Sequence, residues 1–127
     1  MLDNNFLSLV EHTIDEKIDL LHIKNKDGFT VTVILASDGY PDKYEKNKEI
    51  VGLDNSTLIF HSGTKYEDDT YYTNGGRVLS VIGSGDTLKS AIDNAYYNVE
   101  KIKFQNMYFR NDIGIKGLNF LKNISNE

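Results

Sequence analysis

The 127-residue chain carries 14 lysines and arginines against 19 aspartates and glutamates, a formal net charge of -5, so it lacks the clustered basic surface that tracks nucleic-acid phosphates. A hydrophobic share of 39% and a charged share of 26% are those of a folded globular protein, and the length asks for one domain, residues 1–127. Without cysteine there are no disulfides or thiolate metal sites; the apolar runs are too short to span a membrane, and residues 1–6 lack the basic segment and apolar core of a signal peptide, so cytoplasmic residence is expected.

Phe6, Leu7, Val10, Ile14 and Ile18 recur at helical spacing, which predicts a helix over residues 3–18 with one buried face and Asp3 as its cap. Residues 21–24 and 29–37 flank Asn25-Lys26-Asp27-Gly28, and the Asp-Gly pair predicts a hairpin joining two antiparallel strands. Between Ser37 and Thr57 the apolar pattern lapses into a polar stretch holding Tyr40 and Tyr44, a loop long enough to suggest a site or a cover for a neighbouring surface. Residues 57–61, 71–73 and 77–82 read as short strands separated by Asp68-Asp69 and Asn74-Gly75-Gly76, which implies a meander-like sheet. Thr87 caps a second predicted helix, along which Leu88, Ala91, Ile92, Ala95, Val99 and Ile102 repeat at steps of three and four. After Phe104 the chain turns through Tyr108-Phe109-Arg110 and Asp112-Ile113-Gly114 into an Asn- and Lys-rich tail expected to fray. Strands in the middle, helices toward the ends and no regular alternation of the two define an α+β domain with a small, mostly antiparallel sheet and a helix near each end.

His12, His22 and His61 lack the pairing or convergent carboxylates of a metal site, so they read as surface or edge residues and no metal is assigned. Gly83-Ser84-Gly85 lacks the Lys and Ser or Thr of a phosphate loop and reads as a strand-to-helix turn. Ser37 sits outside a Gly-x-Ser-x-Gly elbow, and no catalytic residue is assigned. Two segments stand above background. In Ala36-Ser37-Asp38-Gly39-Tyr40-Pro41 a strand runs into glycine, an aromatic ring and the chain's only proline, either as a rigid surface turn or as a rim presenting Tyr40 to a partner or ligand. In Thr73-Asn74-Gly75-Gly76-Arg77 consecutive glycines allow backbone N–H groups to approach an anion, and Arg77 offers a fork-shaped donor; a plain hairpin turn accounts for the pattern equally well.

Taken in order, Ala36-Ser37-x-Gly39-Tyr40-Pro41, Tyr44-Glu45-Lys46, His61-x-Gly63-Thr64-Lys65, Thr73-Asn74-Gly75-Gly76-Arg77-Val78-Leu79, Gly85-Asp86-Thr87-Leu88, Val99-Glu100-Lys101-Ile102 and Met107-Tyr108-Phe109-Arg110-x-Asp112-Ile113-Gly114 resemble the C-terminal domain of the phosphoribosylamine–glycine ligases. The resemblance covers nearly the whole chain and implies an ATP-grasp enzyme of purine synthesis, in which glycine becomes an acyl phosphate that the amine of phosphoribosylamine attacks. It implies ATP and Mg2+ or Mn2+ in the complete enzyme but no cofactor bound by this chain, because the family's ATP pocket and its Arg-Phe-Gly-Asp-Pro-Glu signature precede the matched region. It implies as partner the ATP-grasp body of the same enzyme, on which this domain packs to wall part of the cleft for glycine and phosphoribosylamine, with no nucleic acid and no membrane. The chemistry of the two segments singled out above makes Asn74, Gly75, Gly76 and Arg77 candidates for the substrate cleft or an anion contact, and Ser37, Gly39, Tyr40, Pro41 and Tyr44 candidates for a structural turn or docking rim. Asp42 stands where glycine usually follows Tyr-Pro, Asp69 where an Asp-Gly turn is usual, and Asn111 and Ile115 where basic residues are common, which puts local loop shape in question. The start at Met1, near where the family's signature ends, suggests a cloned fragment or a split gene. The alternatives are a free-standing small-molecule or protein-binding module that keeps the fold without catalysis, and a remnant of a broken gene.

Overall fold

The computed structural model describes residues 2–124. In chain order it contains α1 (Phe6–Ile14), a 3-10 turn (Ile18–Leu20), β1 (Phe29–Ser37), β2 (Glu49–Ile50), β3 (Ile59–His61), β4 (Thr64–Glu67), β5 (Thr70–Thr73), β6 (Arg77–Gly85), α2 (Leu88–Lys101), β7 (Met107–Tyr108) and α3 (Ile115–Ile124). The strands form two antiparallel sheets, ordered β3-β6-β1-β7 and β2-β5-β4. The α+β class expected from the sequence is the class observed.

The core follows from two periodicities that face each other. On β1, Val31, Val33 and Leu35 alternate toward one face; in the antiparallel register Val33 lies opposite Val81 and Leu35 opposite Leu79 of β6. Against that face α2 lays Ala91, Ile92, Ala95 and Val99, all buried. Ile50 of β2 and the half-buried Tyr71 of β5 reach the same cluster, so the small sheet shares the core of the large one. The start of α2 is fixed by a reciprocal box: the Thr87 hydroxyl accepts from the Ser90 N–H at 3.1 Å, and the Thr87 N–H donates to the Ser90 hydroxyl at 3.1 Å.

Several expectations fail, each for a physical reason. The first helix is shorter than residues 3–18, is capped by Asn5 rather than Asp3, and buries no residue fully; among the described residues it rests on the 3-10 turn alone, and Phe6, Leu7 and Ile14 of its apolar stripe stay exposed. Residues 21–24 form no strand and there is no hairpin at Asp27-Gly28, because β1 pairs instead with β6 and β7, which approach from far along the sequence. The long loop after Ser37 contains β2, and β4 was not foreseen; β4 and β5 make a hairpin across Asp68-Asp69, so the meander expected from strand spacing is replaced by two sheets. Gly83-Ser84-Gly85 closes β6 instead of turning, and the tail expected to fray carries α3 over residues 115–124.

Candidate functional site

The two segments singled out in the sequence meet at one end of the large sheet. β1 ends at Ser37, whose N–H donates to the Gly76 carbonyl at 2.8 Å and whose hydroxyl donates to the Gly75 carbonyl at 3.1 Å. The buried Ser37 therefore ties the Tyr-Pro loop to the glycine turn. Gly39 adopts φ +88°, a conformation in which a side chain is strained, and its carbonyl accepts from the Asp42 N–H at 2.8 Å. The Tyr40–Pro41 peptide is cis, and the Tyr40 ring packs against Gly76, where any Cβ would collide with it. Tyr44 meets the Tyr40 ring edge-on at 6.0 Å between centroids. The far side of the loop is held to β5: buried Thr73 donates its N–H to the Lys48 carbonyl at 2.8 Å, accepts at its carbonyl from Asn47 at 2.7 Å and at its hydroxyl from the Lys48 N–H at 3.1 Å. Asn74 donates its backbone N–H to the Gly63 carbonyl at 2.7 Å and is itself exposed. Ser37, Gly39, Tyr40, Pro41, Tyr44 and residues 74–77 thus form one connected cluster.

On the face away from α2 this cluster borders a groove of about 250 Å³. Ile34 and Ala36 of β1 form its floor, Tyr40 and Arg77 stand on one side, and Tyr108 and Arg110 on the other. Arg110 is already engaged, forking onto Asp112 at 2.8 and 2.6 Å; the hydrogen bond from Arg110 holds the Asp112 carboxyl below its ordinary range, and the reciprocal bond raises Arg110. Arg77 is exposed and, among the described residues, makes no ion pair. Neither Asp68 nor Asp69 pairs with it, and Asp69 instead accepts from the Tyr66 hydroxyl at 3.1 Å. An apolar floor with one free guanidinium at its rim can seat a planar or apolar group that ends in a carboxylate or phosphate.

Sequence reasoning singled out Tyr40 and Arg77 but not Ile34, Tyr108 or Arg110. The signal for Ile34 was its place in the outward-facing set Thr32, Ile34, Ala36, an apolar residue where strand alternation puts solvent. Tyr108 arrives through the short β7, in which Tyr108 pairs with Ala36, a contact no local pattern announces. Of the histidines, His61 lies on the edge strand β3 with its Nδ1 2.9 Å from the Thr64 hydroxyl, and the Nδ1 of His12 lies 2.7 Å from the Ser8 carbonyl.

Two antiparallel sheets sharing one core under a single boxed helix, with a glycine-arginine turn sewn to a tyrosine-proline loop, define an α+β domain that offers a groove on its open sheet face. Residues 30–116 match the family model described as phosphoribosylglycinamide synthetase, C domain, and the chain belongs to that family. The phosphoribosylamine–glycine ligase of Caldanaerobacter subterraneus subsp. tengcongensis is 39% identical over 115 residues, 89% of this chain and 28% of that protein. The bifunctional purine biosynthetic protein purD of Dictyostelium discoideum is 40% identical over 128 residues, 96% of this chain and 16% of that protein. The crystal structure of the Thermotoga maritima phosphoribosylamine–glycine ligase superposes with a TM-score of 0.69 at 38% identity, over 81% of this chain and 27% of that one. The chain therefore spans under a third of the length of these relatives.

Proposed function

We propose that residues 1–127 act as one domain, the C-terminal part of a cytoplasmic phosphoribosylamine–glycine ligase that joins glycine to 5-phosphoribosylamine with ATP hydrolysis in purine synthesis. The observation that carries this reading is family membership along most of the chain, at 39% identity to a protein named for that activity. In this reading the body of the ligase is the partner, and Arg77 with the Asn74-Gly75-Gly76 turn faces the cleft, presenting its free charge to an anionic group of the substrate or to a carboxylate of the closing body.

On this reading the described residues of the chain offer no site for ATP or its metal ion. Among the described residues no three His, Asp or Glu side chains gather where a metal could sit, and the sequence has no glycine-rich loop followed by Lys and Ser or Thr. ATP and Mg2+ or Mn2+ belong, on this proposal, to the rest of the ligase. Titration of the chain alone with ATP and magnesium should give no specific heat, and micromolar binding would overturn the assignment of roles. No helix of the described residues is long and apolar enough to cross a membrane.

The direct test places this chain in the Caldanaerobacter ligase in exchange for its matching segment. The chimera should form the ligase product. Arg77→Ala within it should lower kcat/KM by about ten- to a hundredfold, the equivalent of one charge-assisted hydrogen bond of roughly 1.5 to 3 kcal/mol, with the melting temperature unchanged. Arg77→Lys should recover part of the loss. A variant that melts earlier but turns over normally in the cold would reduce Arg77 to a structural residue.

A further inference from the structure

The turn that joins β5 to β6 is clamped on both sides of a single loose peptide unit. On one side the Thr73 carbonyl accepts from the Asn47 N–H and the Asn74 N–H donates to the Gly63 carbonyl, both at 2.7 Å. On the other, the Ser37 hydroxyl donates to the Gly75 carbonyl at 3.1 Å and the Ser37 N–H to the Gly76 carbonyl at 2.8 Å. Between these clamps the Asn74 carbonyl and the Gly75 N–H have no hydrogen-bond partner among the described residues, and neither has the exposed Asn74 side chain. The peptide unit can therefore rotate without breaking a hydrogen bond, and Gly75 brings no side chain to obstruct the move.

That freedom matters chemically, because the amide carbon of an asparagine comes within reach of the next residue's backbone nitrogen when the peptide between them turns. Asn74-Gly75 is the only Asn-Gly pair in the chain. Asn47 and Asn55 lack the same freedom. Lys48, which follows Asn47, donates its N–H to the Thr73 hydroxyl at 3.1 Å, and Ser56, which follows Asn55, donates its N–H to the Asp54 carboxylate at 2.7 Å. In each case the nitrogen that would attack is held toward an acceptor elsewhere.

We propose that Asn74-Gly75 is a site of covalent modification by intramolecular deamidation, and that the modified turn repels the anions that the Arg77 groove attracts. The Gly75 nitrogen attacks Asn74 Cγ; an N–Cγ bond forms, the Cγ–Nδ2 bond breaks, and the side-chain nitrogen leaves as ammonia with the proton from Gly75. Water then opens the succinimide ring. Opening at Cγ leaves aspartate, whereas opening at the main-chain carbonyl of residue 74 leaves isoaspartate, whose backbone runs one carbon longer and so displaces the glycines that Ser37 holds. Either product puts a carboxylate three positions from Arg77. The modification stands on the turn's own chemistry, while its effect on the groove rests on the anion reading of Arg77, and each has its own test.

The first test incubates the chain in mildly alkaline buffer and follows the exchange of amide for acid by peptide mass after trypsin. Peptide 66–77 holds Asn74 as its single asparagine, and peptide 49–65 holds Asn55. The acid form should build up in 66–77 at least about tenfold faster than in 49–65, the rate equivalent of one hydrogen bond restraining the attacking N–H. The folded chain should convert at Asn74 within about tenfold of the chain unfolded in guanidinium; slower conversion than that means the clamps protect the turn, and overturns the site. Asn74→Gln, which keeps an amide but lengthens the ring that must close, should abolish the acid form in 66–77, and acid that persists there assigns the chemistry elsewhere. The second test titrates inorganic phosphate into the native chain and into Asn74→Asp, which carries the direct product. The variant should bind about three- to tenfold more weakly at low salt, with the gap closing as salt screens the charge. Equal affinities, or a native groove that takes no phosphate, overturn the effect on the groove.

Discussion

On α2 the residues spaced by three and four, Ala91, Ile92, Ala95 and Val99, are buried against β1 and β6, whereas on α1 the residues with the same spacing are exposed at Leu7 and Ile14 and only half-buried at Val10. Both helices are amphipathic and both are capped, α1 by the Asn5 side chain and α2 by the Thr87–Ser90 box. What separates them is the surface opposite. Spacing determines that a helix has an apolar face, and only the tertiary partner determines whether that face stabilises the domain that carries it. The core side of the molecule therefore holds the folding free energy.

The comparison is broken or kept most decisively by truncating one leucine on each side. Leu79→Ala removes a side chain with 0% exposure from between α2 and the sheet and should cost about 2 to 5 kcal/mol in denaturant unfolding. Leu7→Ala, on the exposed face of α1, should stay within about 0.5 kcal/mol in the isolated chain. A cost above about 1 kcal/mol for the second would mean that α1 contributes to the core after all. Next in size is Thr87→Ala, which removes one half of the box at the start of α2 and should cost about 1 kcal/mol, with far-UV helix signal lost in proportion.

That α2 could be read from the sequence and the fate of α1 could not has the same cause. The repeat from Leu88 to Ile102 and its Thr87 cap are local facts, and so is the run of β1 up to Ser37. The pairing of β1 with β6 joins residues such as Phe29 and Gly85, and nothing near Asp27-Gly28 announces that the expected hairpin partner at residues 21–24 will be ignored. Gly28 does take φ +98°, so the turn signal there was genuine while the pairing inferred from it was not. α3 escaped notice because Asn and Lys are interleaved with Ile115, Leu118, Phe120, Leu121 and Ile124, and part of its packing on Leu88 depends on Gly117 approaching closely. In the groove, Tyr40 and Arg77 lie in motifs with unusual local chemistry, but Ile34 and Tyr108 become neighbours of theirs only through sheet register.

The β4–β5 hairpin sharpens the contrast from the sheet side. Asp68 and Asp69 both adopt positive φ, 47° and 58°, the backbone of a tight two-residue turn that Asn-Gly or Asp-Gly fits with less strain. The family resemblance implies glycine at this position, and Asp69 takes a left-handed φ of 58° there. Asp69→Gly should therefore stabilise the chain by a few tenths to about 1 kcal/mol, the relief of left-handed strain partly offset by the greater freedom of glycine when unfolded. The same change removes the acceptor of the Tyr66 hydroxyl, whose bond to Asp69 holds the phenol above its ordinary pKa, so the Tyr66 titration should move back down. A variant that melts earlier would show that the bond outweighs the backbone.

The smallest effect concerns the ion pair beside the groove. The folded-state pKa of Asp112 is depressed, first by the hydrogen bond from Arg110, so its contribution to stability is present above the ordinary carboxylate pKa and is lost as pH falls through the lower folded value. Both partners are well exposed, at 61% and 54% of their side chains, so water and salt screen the pair. Asp112→Asn should make the chain slightly less stable than the native form at neutral pH. The two stability curves should draw together below about pH 4 and meet once the native carboxylate is protonated, with the neutral-pH gap narrowing in high salt. A gap that persists unchanged in acid would assign the loss to the loop geometry at 110–112 and not to charge. The same variant leaves Arg110 without its carboxylate, so the groove then carries two unpaired guanidiniums, and a carboxylate or phosphate probe should bind it more tightly than it binds the native groove. If affinity does not rise, Arg110 points its charge away from the groove even when freed, and Arg77 alone sets the groove's preference for anions.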